Sequence, residues 1–323
     1  MQNSIREQEE RPRVGLALSG GAARGAAHVG VLRVLEEQGV PVDCIAGTSA
    51  GALVGGAYAA GLMLDQLEEF TLRMRWRDFG RVTLSKRGVQ SNARLEEFIR
   101  ARFPVSRFED LRIPFAAVAA DLKTGAAVVM REGDLAFAIR ASCAVPGWYV
   151  PVVDEANRQL VDGGIVANLP VRALRKFQPP PDILVGVDVN FEGAKFLGPP
   201  RTALGILFQT FMVVQRSISA HEQRAADVVI VPRVGHIRWD EMARGEELIW
   251  LGREAALEAV GPIKELIEER TRGAGARAGR HTGAPRADAR HAQLTEPVPA
   301  TAPDDHGRGA THVRKAPAPR RRA

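Results

Sequence analysis

Ile45-Ala46-Gly47-Thr48-Ser49-Ala50-Gly51-Ala52-Leu53-Val54-Gly55-Gly56 joins a short apolar run to an alanine-rich one, with a serine between two glycines at the junction. A G-x-S-x-G turn between a strand and a helix lifts a serine hydroxyl above the edge of a sheet, in a strained backbone conformation that glycines on either side make room for. Ser49 is therefore the candidate nucleophile, and Gly47 and Gly51 are its supports. Residues 45–64 carry no charge and match the length of a spanning helix. Their Gly, Ala, Ser and Thr content, and the turn inside them, indicate instead a buried helix packed close to a sheet.

Upstream, Arg13–Leu18 reads as a first buried strand and Ala27–Gln38 as an amphipathic helix ended by Gly39 and Pro41. Val42–Ala46 is the second strand. Strand–helix–strand–helix order implies a parallel sheet with helices on its faces. Further helical patterns lie at Leu64–Trp76, Ala93–Arg102, Thr202–Ala225 and Glu246–Glu269. Strand patterns lie at Phe115–Asp121, Ala126–Met130, Leu160–Asp162, Ile183–Asp188 and Val228–Val231. The helix at 202–225 is rich in large apolar residues and reads as packed on the sheet, with a lipid-facing lip as the rival reading.

The chain has 323 residues and a formal charge of +6, unevenly spread. Residues 271–323 hold eleven Lys+Arg against four Asp+Glu, whereas residues 1–270 hold 33 against 34. The expected organisation is a flexible N-terminus at 1–12, one domain at 13–270, and a basic Ala/Pro/Gly/Arg-rich tail at 271–323 too poor in apolar residues to order. A nearly neutral body argues against a nucleic-acid partner. Two cysteines fit a reducing compartment. Met1–Arg13 is charged and lacks the apolar core of a signal peptide, and no transmembrane helix is expected. The expected location is cytoplasmic, or peripheral at an inner membrane surface.

A serine needs a base. The body offers only His28, His221 and His236, so a Ser-His-Asp hydrolase would use His221 or His236. A carboxylate can also serve. Asp162 ends an apolar strand and is followed by Gly163 and Gly164, where the chain can turn tightly, although Asp-Gly is also common in plain turns. Spacing leaves Asp121, Asp154 and Asp188 open as well. Ser19-Gly20-Gly21-Ala22-Ala23-Arg24-Gly25 lies between the first strand and first helix, where small residues expose N–H groups that stabilise developing negative charge. It lacks a regular G-x-G-x-x-G, which weighs against a dinucleotide.

Taken in order, the glycine loop with Arg24 running into His28-Val29-Gly30-Val31-Leu32, the Gly47–Gly51 turn, Ala141-Ser142-Cys143-Ala144-Val145-Pro146-Gly147 and Asp162-Gly163-Gly164 resemble the patatin-like phospholipases, most closely the bacterial members. The resemblance covers roughly Arg13 to Pro232. It implies a three-layer α/β/α sandwich with a mainly parallel sheet and a Ser-Asp dyad without a catalytic histidine. Ser49 would be the nucleophile and Asp162 the general base. Gly20, Gly21 and Ala22 would form the oxyanion hole, with Arg24 and Gly25 in support. It also implies lipid acyl-ester substrates, transient membrane contact and no required metal or cofactor.

A catalytically inactive regulatory protein on the same fold is the alternative from another class. Two departures from the family pattern stand out. Ala22 replaces a usual glycine, which predicts an ordinary backbone conformation there. Trp148-Tyr149 is bulkier than the usual pair, which predicts a narrowed acyl pocket. An aspartate base with an ordinary pKa of ~3.9 predicts hydrolysis that persists below pH 6, with a loss near 6.5 marking a histidine instead.

Overall fold

The computed structural model describes residues 11–83, 85, 87–190 and 200–281. β1 (Val14–Leu18), β2 (Cys44–Thr48), β5 (Phe115–Asp121), β9 (Ile183–Val187) and β10 (Val228–Ile230) form a parallel sheet in the order β10-β9-β1-β2-β5. Past the end of β2, β8 (Gln159–Asp162) pairs antiparallel with β5, and β7 (Val152–Val153) pairs antiparallel with β8. β6 (Ala127–Met130) also pairs antiparallel with β5. A separate small hairpin joins β3 (Arg81–Val82) to β4 (Gln90–Ser91).

Alternation along the strands separates two cores. Leu16, Leu18, Ile45, Phe115, Val185 and Val187 point to one face. There they meet α1 (Ala27–Glu37), α2 (Ala50–Ala59), α3 (Leu64–Arg73), α5 (Ala93–Arg100), α6 (Leu135–Ser142) and α9 (Gly245–His281). The short α4 (Trp76–Phe79) lies between α3 and β3. Ala17, Cys44, Ala46, Ala116, Val118 and Leu184 point the other way, against Leu169, Phe177 and the short α7 (Val171–Leu174). Strands buried on both faces read as unbroken apolar runs, which is why they stand out in the sequence. The arrangement is the α/β/α sandwich with a mainly parallel sheet.

Several elements depart from the expected spans. The helical pattern at 64–76 breaks at Met74, whose extended backbone separates α3 from α4. α6 lies outside the expected helical patterns; it starts where the Asp134 carboxylate caps the Phe137 N–H at 2.8 Å. α9 runs to His281 rather than ending near 269, continuing through Pro262 and through a 271–281 stretch that mixes Gly, Ala and Arg. The rest of the expected tail, and most of the expected N-terminal segment, lie outside the described residues. α8 (Ala203–Gln223) packs along one side only. Phe211, Met212, Gln215, Ser219 and Glu222 are buried, while Ile206, Leu207, Val213 and Val214 are exposed. The packed reading thus describes one face of that helix, and the other face is exposed and apolar. Among the described residues, no helix is long and apolar enough to cross a membrane.

Candidate active site

Ser49 sits between β2 and α2 with φ 54° and ψ −120°, a conformation costly for a residue with a Cβ. Packing forces it. A Cβ on Gly47 would lie 2.5 Å from the Gly51 carbonyl oxygen, and one on Gly51 would lie 2.2 Å from that of Leu18. The two glycines therefore let the first turn of α2 press against β1 and β2. The Ser49 N–H donates to Ser142 Oγ at 2.9 Å, and Ser142 Oγ donates to the Val118 carbonyl at 2.6 Å. Ser142 belongs to the Ala141–Gly147 motif, and its bonds tie that motif to the nucleophile turn.

Asp162 ends β8, fully buried, with Oδ1 accepting the Gly164 N–H at 2.8 Å. Its Oδ2 is buried and has no hydrogen-bond partner among the described residues. Burial pushes the carboxyl up to about 7, opposed by the neighbouring Ser49 hydroxyl and the Gly164 N–H. The hydroxyl thus faces the carboxyl without a formed bond to Oδ2, a contact of the kind that tightens when substrate enters. The glycines after Asp162 do more than turn the chain. A Cβ on Gly163 would lie 2.3 Å from the Val118 oxygen, and one on Gly164 would lie 2.1 Å from Gln215 Nε2. Cys143 is also buried here; desolvation and then the Asp162 charge push its thiol well up, so it stays protonated.

The glycine loop differs from expectation in two respects. Ala22 has φ 52°, not an ordinary conformation: the turn that brings the loop over Ser49 needs a left-handed residue there, at roughly 1–2 kcal/mol for alanine. The Gly20 N–H is already bonded to the Asn168 carbonyl at 3.1 Å, which leaves Gly21 and Ala22 as the loop's cavity-lining members. Gly25 packs on the start of α2, where a Cβ would lie 2.5 Å from Ala50 Cβ. Arg24 is 1% exposed and does not line the cavity. Its Nε donates to the Ile237 carbonyl at 2.7 Å and its Nη1 to Asn190 Oδ1 at 3.3 Å.

Ser49, Gly21 and Ala22 open onto a cavity of about 270 Å³ walled by Trp76, Trp148, Tyr149, Phe208, Phe211 and Trp239. The rings of Phe208 and Trp239 lie 4.1 Å apart. Trp148 and Tyr149 thus border the site, and the cavity falls just below the ~300–1,000 Å³ usual for ligand pockets. A larger groove beside β6 is lined by Asp121 and Asp154 but by neither Ser49 nor Asp162.

Neither His221 nor His236 lines the cavity; both are exposed, and His236 pairs with Glu247 at 3.0 Å. His28 is fully buried, with Nε2 donating to the Ser19 carbonyl at 2.9 Å. Burial lowers its pKa to about 4, so it is neutral. Asp121 accepts bonds from Lys123 and Thr124 in the turn after β5, and Asp154 pairs with Arg158. Asp188 is held by the Asn190 N–H and Gln223 Nε2. Of the aspartates left open by spacing, Asp162 is the one beside Ser49. Among the described residues, no cluster of His, Cys, Asp or Glu has the makings of a metal site.

The patatin-like phospholipase family model matches residues 16–175, a span that contains the loop, Ser49 and Asp162. The chain belongs to this family. An uncharacterized NTE family protein of Mycobacterium tuberculosis is 39% identical over 195 residues, covering 59% of this chain and 52% of that protein. Lysophospholipase NTE1 of Mycosarcoma maydis is 39% identical over 170 residues, covering 50% of this chain and 9% of the relative. A patatin-like phospholipase domain-containing protein of Caenorhabditis elegans is 36% identical over 174 residues, covering 50% of this chain and 12% of the relative. The chain thus spans about half the length of the mycobacterial relative and a small part of the other two. Gln215, Asn190 and α8 lie beyond the matched span.

Proposed function

We propose that this patatin-like chain hydrolyses acyl esters of phospholipids or lysophospholipids through a Ser49 acyl-enzyme. The observation that carries the proposal is the strained Ser49 on the floor of an aromatic cavity, facing a buried Asp162 with one oxygen unpaired. Ser49 Oγ attacks the ester carbonyl as its proton passes to Asp162. The loop N–H groups stabilise the tetrahedral oxyanion. Collapse expels the alcohol, which takes the proton back from Asp162. Asp162 then accepts a proton from water as that water attacks the acyl-enzyme, and the departing Ser49 oxygen is reprotonated, releasing the fatty acid. No step requires a metal or cofactor.

The lipid-facing surface we assign is the cavity rim. Exposed Ile206 and Leu207 lie on α8 beside Phe208, which lines the cavity. Arg75 and Arg77 flank Trp76, and Arg81 pairs with Ser91 next to Gln90. These three arginines are exposed and make no ion pair among the described residues, as an anionic bilayer would favour.

Incubation with a fluorophosphonate is the test. Wild type should gain one adduct, on Ser49, and should release fatty acid from lysophospholipid; Ser49→Ala should do neither. Labelling elsewhere, or turnover retained in Ser49→Ala, refutes the assignment. For the surface, Arg77→Glu/Arg81→Glu should weaken co-sedimentation with anionic vesicles while sparing hydrolysis of a soluble aryl ester; unchanged sedimentation would remove this face.

A further inference from the structure

Gln215 is 2% exposed on α8, yet its side chain lines the cavity with Ser49, Gly21 and Ala22. A buried glutamine can turn either end of its amide toward a neighbour, and only the hydrogen-bond network fixes which. Here the network has a definite starting point. Arginine can only donate, so Arg24 Nη1 requires Asn190 to present Oδ1, at 3.3 Å. Asn190 must then present Nδ2 to Gln215, and it does, reaching Oε1 at 3.1 Å. That leaves the Gln215 Nε2 hydrogens facing the site.

Their location is fixed by the glycines around them. A Cβ on Gly20 would lie 3.2 Å from Ser49 Cβ and 3.5 Å from Gln215 Nε2. A Cβ on Gly164 would lie 2.1 Å from Nε2 and 3.0 Å from Asp162 Oδ1. The amide nitrogen therefore lies close to both the nucleophile and the base, beside the gap that Gly20 and Gly164 leave open.

We propose that Gln215 Nε2 is a side-chain donor to the acyl oxyanion, working with the Gly21–Ala22 loop, and that Arg24 acts through Asn190 as the residue that sets its polarity. The loop needs such help because the Gly20 N–H is engaged with Asn168. On this account Arg24 is a positioning residue two hydrogen bonds from Gln215 and three from the substrate. The proposal rests on the acyl-enzyme reading above and deepens it by adding a donor outside the matched family span.

The test uses the full chain and a soluble aryl ester, with Gln215→Met and Asn190→Asp beside wild type. Methionine keeps the volume of Gln215 and removes the donor. Aspartate at 190 still accepts from Arg24, but it accepts from Gln215 too and so turns that amide round. Both variants should lose roughly 10²-fold in kcat with little change in KM, the usual cost of one oxyanion donor. Asn190→Asp should do so without a fall in Tm, since a carboxylate strengthens the bond to Arg24.

Wild-type activity in Gln215→Met would overturn the proposal and leave the dyad reading standing. So would a variant whose only change is a displaced acid limb of the pH profile, since Gln215 would then act on Asp162. If Gln215→Met does not fold, Asn190→Asp decides, and full activity there overturns the proposal. If wild type neither hydrolyses the ester nor labels at Ser49, the acyl-enzyme reading itself has failed.

Discussion

The two sides of this cavity are built by opposite means. On the side of the strand ends, Ser49, the Gly20–Ala22 loop and the Asp162 turn are held by backbone pressed on backbone, with Gly47, Gly51 and Gly163 each filling a place where a Cβ would meet a carbonyl oxygen within 2.5 Å. On the side of α8, Gln215 and Ser219 are held by side-chain hydrogen bonds to Asn190 and Asn168. The first side stores strain at Ser49 and Ala22, the two positive-φ non-glycine residues at the site. The second is adjustable, since an amide can rotate. Strain places the proposed nucleophile; the polar network chooses which way the proposed donor points.

The sharpest way to break this contrast is to substitute each side alike. Gly51→Ala should abolish activity and prevent or severely weaken folding, because its methyl would lie 2.2 Å from a backbone oxygen that cannot swing aside. The measurement is soluble yield and Tm. A well-folded, active Gly51→Ala would show that the turn is not set by backbone contact. Gln215→Met on the other side should lower Tm only modestly, as buried Asn190 Nδ2 loses its acceptor, and leave a folded protein that has lost activity. Equal effects at the two positions would erase the distinction.

A smaller effect sharpens it. Burial holds Asp162 at about 7, so the proposed base would be protonated, and inactive, below that pH. kcat/KM should therefore fall about tenfold per pH unit below pH 7 and level off above it. This reverses the expectation of activity persisting below pH 6, and it removes the pH profile as a way to tell this aspartate from a histidine. An acid limb near pH 4 would show that Asp162 is better solvated than its burial indicates.

Legibility in the sequence follows the same division. Gly47-Thr48-Ser49-Ala50-Gly51 and Asp162-Gly163-Gly164 were readable because residues that must lack a Cβ leave a mark in the letters themselves. The buried strands were readable for a related reason, as unbroken apolar runs. Gln215 and Asn190 left none: their meaning lies in partners 25 and 166 residues away, in the Gln215–Asn190 and Asn190–Arg24 bonds. Arg24 was legible as a member of the loop but not as a buried one. Ala22 misled, since alanine is normally evidence against the left-handed conformation it adopts. Asp162 was legible in position but not in pKa, because desolvation depends on the layers packed around β8.

Asp162, and no histidine, is the base proposed for Ser49. The most direct test compares kcat/KM on one soluble ester for Asp162→Asn and for the double variant His221→Ala/His236→Ala, with folding checked for both. A loss on the order of 10³-fold or more is expected in Asp162→Asn, with near wild-type rates in the double variant. Retained turnover in Asp162→Asn, together with its loss in the histidine variant, would contradict that assignment.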